Sequence, residues 1–192
     1  MGRFVYLLLF ICVGSIHAYG STIYDGGSEN TSTKIQQVWK KQELEPPIGR
    51  WINIPNIRIC KDAPVTEQEV RDAVSWWSQR GHQFGPITPD TIQYGCIVGS
   101  PHGSILIQLV SGDAYEERYA ATTAVTHDTT PGSDGLVEIH YAVIKMKHRV
   151  LDRVLEHEIG HALGFMHTNE TGHLMHKNLV DGGWNDRGLR NQ

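Results

Sequence analysis

The chain has 192 residues, a formal net charge of -4, 40% hydrophobic residues and 20% charged residues. This length suits one domain with short appendages, and the composition is that of a globular chain rather than a disordered or membrane-embedded one. The charge provides no basic field of the kind that binds nucleic acid, so no nucleic-acid partner is expected.

The N-terminus has the features of a signal peptide. Arg3 precedes an apolar run over residues 4–13, and small residues follow at Ala18 and Gly20, where cleavage would occur. The apolar run is far shorter than the ~20 residues that span a membrane. We therefore predict a signal peptide over residues 1–20 and a secreted protein without a membrane span once this segment is removed.

Residues 21–50 are polar and rich in turn-forming residues. This composition predicts a tail or a short pro-segment that crosses the surface rather than an element of the core. The folded domain is predicted to begin near Trp51 and to cover residues 51–192.

Two cysteines, Cys60 and Cys96, remain after Cys12 is removed with the signal peptide. An even pair in an exported protein favours a disulfide. Closing a loop of this size would stabilise the fold by about 3–4 kcal/mol in the chain-entropy model. Two buried free thiols are the alternative.

The folded domain mixes predicted strands and helices without regular alternation. Thr66 and Glu69 make a capping box, which begins a helix that reaches to about Arg80. Apolar patterning predicts a strand-like stretch over residues 52–59, interrupted by Pro55, and four further strands, at Ile92–Val98, Ser104–Val110, Ala120–Thr126 and Leu136–Ile144. Together with a second helix near the C-terminus, this pattern predicts an α/β or α+β domain.

The second helix, predicted over Arg149–Gly164, carries a candidate metal site. His157 and His161 lie one helical turn apart, so both imidazoles can reach one ion. Gly164 permits a left-handed backbone at the helix end. The chain can then turn sharply, which brings His167 back as a third ligand.

Glu158 lies beside these ligands, where it can hold a water on the open side of the ion. Three neutral imidazoles leave a fourth position for water, which is the arrangement of a catalytic zinc. We predict one catalytic Zn²⁺, with Glu158 as the general base that passes a proton from the water to the leaving amine. The alternative is that the motif arose by chance, since the chain has eleven histidines. The probability of a chance match to a bare pattern of this kind is on the order of 10⁻⁴.

Residues 157–167 read HEIGHALGFMH, which resembles the HExxHxxGxxH motif of the metzincin clan of zinc peptidases. Residues 156–167 and the eight-residue spacing from His167 to Met175 most resemble the matrixins. The resemblance covers roughly residues 51–176. It implies a twisted, mostly parallel sheet with an antiparallel edge strand, two main helices and a small C-terminal subdomain.

The resemblance also implies a function, that of a secreted zinc metalloendopeptidase. Met175 would form an apolar floor under the zinc, and an extended protein or peptide substrate would pair with the Ala120–Thr126 strand. Two departures leave the family below the clan open. Thr168 stands where matrixins usually have serine, and His176 and Lys177 stand where they commonly have Tyr-Pro.

His127 and His140 resemble, in their spacing, two ligands of the second, structural zinc of animal matrixins. The aspartate that matrixins place two residues after the second histidine is Ala142 here. Ordinary surface histidines are the alternative. A Ca²⁺ site is a further alternative, with Asp128, Asp134 and Glu138 as its ligands.

Asp25 is a candidate latency residue in the segment before the domain. No cysteine lies between the signal peptide and Cys60, so the cysteine latch of animal matrixins cannot operate. Some bacterial matrixin-like peptidases and astacins place a pro-segment aspartate on the zinc instead, which would make this chain a zymogen. The alternative is an Asp-Gly turn in a loose tail.

Two other functions fit the same motif. One is a catalytically silent zinc protein that binds a partner through its cleft, although such a protein does not need Glu158. The other is a processing protease or toxin of narrow specificity. A monomer is expected for each of these functions.

Overall fold

The fold is described from a computed structural model of the chain. The described residues are 6–11, 47–90, 96, 102–109, 120–147, 152–178, 181–183 and 186–189. Three predictions fall outside these ranges. They concern the polar segment with Asp25, all but Cys96 of the strand predicted at Ile92–Val98, and the start of the helix predicted from Arg149.

Within the described residues, seven strands form one sheet and two helices accompany it. The strands are β1 (Tyr6–Ile11), β2 (Gly49–Trp51), β3 (Asn56–Ile59), β4 (Ile87–Pro89), β5 (Ser104–Leu109), β6 (Ala121–His127) and β7 (Val137–Met146). The helices are α1 (Glu67–Ser78) and α2 (Val154–Ala162). The strand order is β1-β6-β7-β5-β3-β4, and β2 pairs with the first residues of β7.

The sheet is mostly parallel. β3 pairs in parallel with β4 and β5, and β7 pairs in parallel with β5 and β2. β6 runs antiparallel to β7, and β1 runs antiparallel to β6 on its outer side. This arrangement confirms the predicted α/β class. Removal of residues 1–20, the predicted signal peptide, would leave β6 as the edge strand.

The predicted capping box begins α1. The Glu69 N–H donates to the Thr66 hydroxyl, and the Thr66 N–H donates to the Glu69 carboxylate. The buried face of α1 consists of Val70, Ala73 and Trp77. The Trp77 indole N–H donates to the Glu156 carbonyl at 2.8 Å. This bond fixes α1 to the first turn of α2, the helix that carries the candidate metal site.

α2 begins later than predicted, and it ends at Ala162, two residues before the predicted end. Arg153, just before it, has φ of 67°, a left-handed conformation that cannot continue a right-handed helix. Gly164, just after it, has φ of 96°. A Cβ at that position would lie 2.7 Å from the Gly49 carbonyl oxygen. Glycine is therefore needed both for the backbone conformation and for the close passage of β2.

The sequence does not predict β2 or β4, which have three residues each. β2 lies at the end of the segment predicted as a polar tail. The Ile48 N–H donates to the Gly164 carbonyl at 3.0 Å, and the Val137 N–H donates to the Ile48 carbonyl at 3.0 Å. The sheet therefore includes residues that precede Trp51, and they hold the loop that follows α2.

The predicted disulfide joins Cys60 to Cys96. It links the end of β3 to a segment 36 positions further along the chain. Disulfides are typical of proteins that fold outside the reducing cytosol. No helix in the described part of the chain has both the length and the apolar character needed to cross a membrane.

Candidate metal centre

The imidazoles of His157, His161 and His167 converge on one point. His157 and His161 lie one turn apart on α2, and the left-handed turn at Gly164 brings His167 back towards them. The Nε2–Nε2 distance is 3.0 Å for His157 and His161, 3.1 Å for His161 and His167, and 3.3 Å for His157 and His167. Among the described residues, these three form the one group of metal-binding side chains whose ligand atoms meet closely enough to hold an ion.

Backbone carbonyls fix the protons of two of these rings. His157 Nδ1 lies 2.7 Å from the Leu174 carbonyl oxygen, and His161 Nδ1 lies 2.7 Å from the Phe165 carbonyl oxygen. Since a carbonyl oxygen can only accept, Nδ1 carries the proton and Nε2 carries a lone pair in both rings. Two lone pairs 3.0 Å apart repel each other, whereas a cation between them would be bound by both.

The Nε2 triangle has the dimensions of a tetrahedral metal site. Zn–N bonds of about 2.0–2.1 Å correspond to N–N separations of roughly 3.3–3.4 Å in ideal geometry. The separations here run from 3.0 to 3.3 Å. The three histidines therefore fit a metal ion and would fill three of its four positions.

Burial keeps the three imidazoles in the neutral form that binds metals. The pKa of His157 and that of His167 are each lowered to about 4, mainly by burial and to a lesser degree by nearby basic groups. Burial also lowers the pKa of His161 well below the usual value of 6.5. Protons therefore compete only weakly with a metal ion for these nitrogens near pH 7.

Glu158 is a buried carboxyl with one anchored oxygen. Its side chain is 1% exposed, and its Oε2 accepts a hydrogen bond from the Thr123 hydroxyl on β6 at 2.5 Å. Its Oε1 has no hydrogen-bond partner among the described residues. Burial raises the pKa of Glu158 to about 8, although the Thr123 bond lowers it. A carboxyl in this environment can exchange a proton near neutral pH, as a general base must.

Met175 lies against the helix that carries the ligands. It is 1% exposed. A Cβ built on Gly160 would lie 2.5 Å from the Met175 sulfur and 2.8 Å from the Trp77 ring. Because Gly160 directly precedes His161, Met175 packs against the α2 backbone between the two helical ligands. The structure thus places Met175 against the helix that carries His157 and His161.

His127 and His140 lie near each other but have other partners. His140 Nε2 donates to the Asp128 carboxylate at 2.8 Å, and His127 Nδ1 donates to the Asp128 carbonyl at 2.6 Å. In the described part of the chain, neither this pair nor the set of Asp128, Asp134 and Glu138 belongs to a group of three side chains whose ligand atoms lie close together. A second metal therefore stays a prediction.

Two residues near the three histidines, Thr123 and His173, have contacts that the sequence did not predict. Thr123 is 35 positions from Glu158, and their contact depends on how β6 packs against α2. His173 belongs to the cluster of five histidines between His157 and His176. That clustering marks this part of the chain, but it does not indicate which atoms His173 contacts.

No protein-family model matches this chain, and no curated protein matches it.

Proposed function

We propose that this protein is a secreted zinc-dependent metalloendopeptidase of the metzincin clan, most similar to the matrixins. His157, His161 and His167 would hold the zinc. The proposal is carried by the convergence of three Nε2 atoms, together with the buried carboxyl of Glu158, which directly follows the ligand His157 on α2. A purely structural metal site would not need that carboxyl.

In this proposal, each residue around the site has a separate role in peptide hydrolysis. A bound zinc supplies Lewis acidity, which activates water and polarises a peptide carbonyl. Thr123 holds Oε2 of Glu158, so Oε1 is the oxygen left to bind the attacking water. Glu158 takes the proton of that water and delivers it to the leaving amine. The Leu174 and Phe165 carbonyls keep the imidazole lone pairs directed at the ion.

The outer edge of β6 is the proposed binding place of the substrate. β1 pairs with this edge as an antiparallel strand, and Phe10 lies opposite Thr123 in the register. A chain paired there passes the residue whose hydroxyl binds Glu158. When the predicted signal peptide is removed, the same main-chain groups become available to an extended protein or peptide.

The proposal also includes secretion of the protein and inhibition of its precursor by Asp25. The Cys60–Cys96 disulfide supports export, together with the signal-peptide pattern of residues 1–20. A zymogen with Asp25 on the zinc stays a prediction, since Asp25 lies outside the described residues. If Asp25→Ala leaves the latency of the precursor unchanged, the latch hypothesis is wrong.

Peptidase assays on casein and on a fluorogenic peptide library test the function. Glu158→Gln keeps the shape of the side chain but removes the base, so we expect kcat to fall by about 10²–10⁴-fold with zinc content unchanged. Glu67→Gln, in the ion pair with Arg71 on the surface of α1, is the matched control and should stay active. Full activity of Glu158→Gln would refute the mechanism, and a zinc-loaded but inactive wild type would favour the silent binding protein.

A further inference from the structure

We infer that His173 is a positioning residue of the metal centre, because it orients the peptide group whose carbonyl holds His157. The inference rests on the proposed role of His157 as a metal ligand. It concerns a histidine that lies in the turn beneath the site and is not among the three converging ligands.

Both ring nitrogens of His173 have defined roles. The side chain is fully buried, at 0% exposure. The backbone N–H of Met175 donates to His173 Nδ1 at 3.0 Å. On the other side of the ring, Nε2 lies 2.9 Å from the Arg187 carbonyl oxygen, which can only accept. His173 is therefore neutral with its proton on Nε2, the tautomer opposite to that of His157.

The two histidines hold opposite ends of one peptide group. The Leu174 carbonyl and the Met175 N–H belong to the same peptide bond, which is planar and trans. His157 Nδ1 donates to that carbonyl at 2.7 Å, and His173 Nδ1 accepts from that N–H at 3.0 Å. Anchoring the N–H therefore fixes the direction of the carbonyl, which in turn fixes the ring plane and the tautomer of His157.

The hydrogen bond from His173 Nε2 does not act on this peptide group. It ties the turn to the C-terminal segment, residues 186–189, through the Arg187 carbonyl. That segment is also attached to the end of α1 by the ion pair between Arg80 and Asp186, at 2.9 Å. Loss of the Nε2 bond alone should loosen the segment and leave the peptide group in place.

Two substitutions separate these bonds. His173→Asn keeps an acceptor at the position of Nδ1 and loses the reach to Arg187. His173→Gln keeps a donor at the position of Nε2 and loses the acceptor for the Met175 N–H. His173→Leu removes both. Partners that orient a metal-binding histidine typically affect metal affinity by about 10–100-fold. We expect that loss in the Gln and Leu variants, and near wild-type affinity in the Asn variant.

The experiment combines two measurements. Long-range ¹H–¹⁵N spectra of the zinc-free protein at pH 7.5 report the tautomer of His157, and competition with a chromophoric chelator gives the zinc dissociation constant. We expect the pure Nδ1–H tautomer in the wild type and the Asn variant, and mixed tautomers in the Gln and Leu variants. Asp186→Asn is the control, because it removes the ion pair with Arg80 and leaves both ring hydrogen bonds of His173 in place. It should preserve both the tautomer and the affinity.

Two results would overturn the role of His173. One is a Gln variant with wild-type zinc affinity and an unchanged His157 tautomer, and the other is an Asp186→Asn control that reproduces the Gln phenotype. If the Leu variant does not fold, the comparison of the Asn and Gln variants still tests whether His173 Nδ1 positions the peptide group. A wild type that binds no zinc refutes the proposed function alone, since the tautomers of the zinc-free protein still test the positioning role.

Discussion

Backbone carbonyls outside α2 orient two of the three imidazoles at the metal centre. The helical period alone places His157 and His161 on one face, so the sequence predicts both ligands. Their tautomers depend on the Leu174 and Phe165 carbonyls, which lie outside the helix. No residue pattern specifies the course of those segments, which is why the ligands were predictable and their orientation was not.

Thr123→Val tests the anchoring of the general base. The substitution removes the hydroxyl and keeps the shape of the side chain, so Glu158 Oε2 loses its partner. A hydrogen bond to a charged group contributes about 1.5–3 kcal/mol. If the activation free energy rises by that amount, the rate falls roughly 10–100-fold. We expect kcat to fall by that factor with KM and zinc content unchanged. Thr123→Ser, which keeps the hydroxyl, is the control, and equal rates for the two variants would contradict the anchoring role.

The titration of the ligands tests their burial. Burial lowers the pKa of His157 and of His167 to about 4. Both rings should therefore stay neutral in the zinc-free protein as the pH falls from 7.5 to 5, and they should take up protons only in more acidic solution. Histidine ring chemical shifts, followed by NMR after removal of zinc, measure this directly. A midpoint near 6.5 for either ring would show that it is solvated.

At the scale of elements, capping and apolar patterning predicted α1, β5, β6 and β7 to within a few residues. The strands β2 and β4 were not predicted, because three residues are too few to show an alternation of apolar and polar residues. The start of α2 was misplaced because Arg153 adopts a left-handed conformation that its residue type does not favour. Local sequence patterns thus predict the long elements. They fail where contacts between distant segments determine the backbone conformation.

Gly164→Ala tests the close approach of β2 to the loop after α2. Left-handed alanine costs about 1–2 kcal/mol. The added Cβ would also lie 2.7 Å from the Gly49 carbonyl oxygen, and such overpacking costs about 1–3 kcal/mol more. Gly135→Ala is the matched control, since its φ is 79° and its Cβ would meet nothing within 4 Å. Urea unfolding should show a larger loss for Gly164→Ala, and equal losses would contradict the proposed contact.

At the scale of the whole molecule, the parallel sheet with an antiparallel strand at one side was predicted through the resemblance to matrixins. Periodicity along the chain does not determine the order of strands, because pairing depends on contacts between distant segments. The expected fold class is confirmed by the order β1-β6-β7-β5-β3-β4. The sequence did not predict that residues 6–11 would pair with β6, since they lie in the predicted signal peptide.

The disulfide is expected to stabilise the whole domain. Replacing both Cys60 and Cys96 by alanine removes a link between residues 36 positions apart. The free energy of unfolding should fall by about 3–4 kcal/mol in the chain-entropy model, as measured by urea denaturation. The wild type in reducing buffer should match the double variant. Identical stability with and without the bond would contradict this expectation.

Zinc stoichiometry tests the metal centre most directly. Untagged protein is refolded with excess Zn²⁺, freed of loose metal by gel filtration and analysed by mass spectrometry of its metal content. Three imidazoles whose Nε2 atoms converge should retain one zinc per chain, and His161→Ala should lose it. A wild type that retains no stoichiometric zinc would contradict the metal centre, and with it the proposed peptidase.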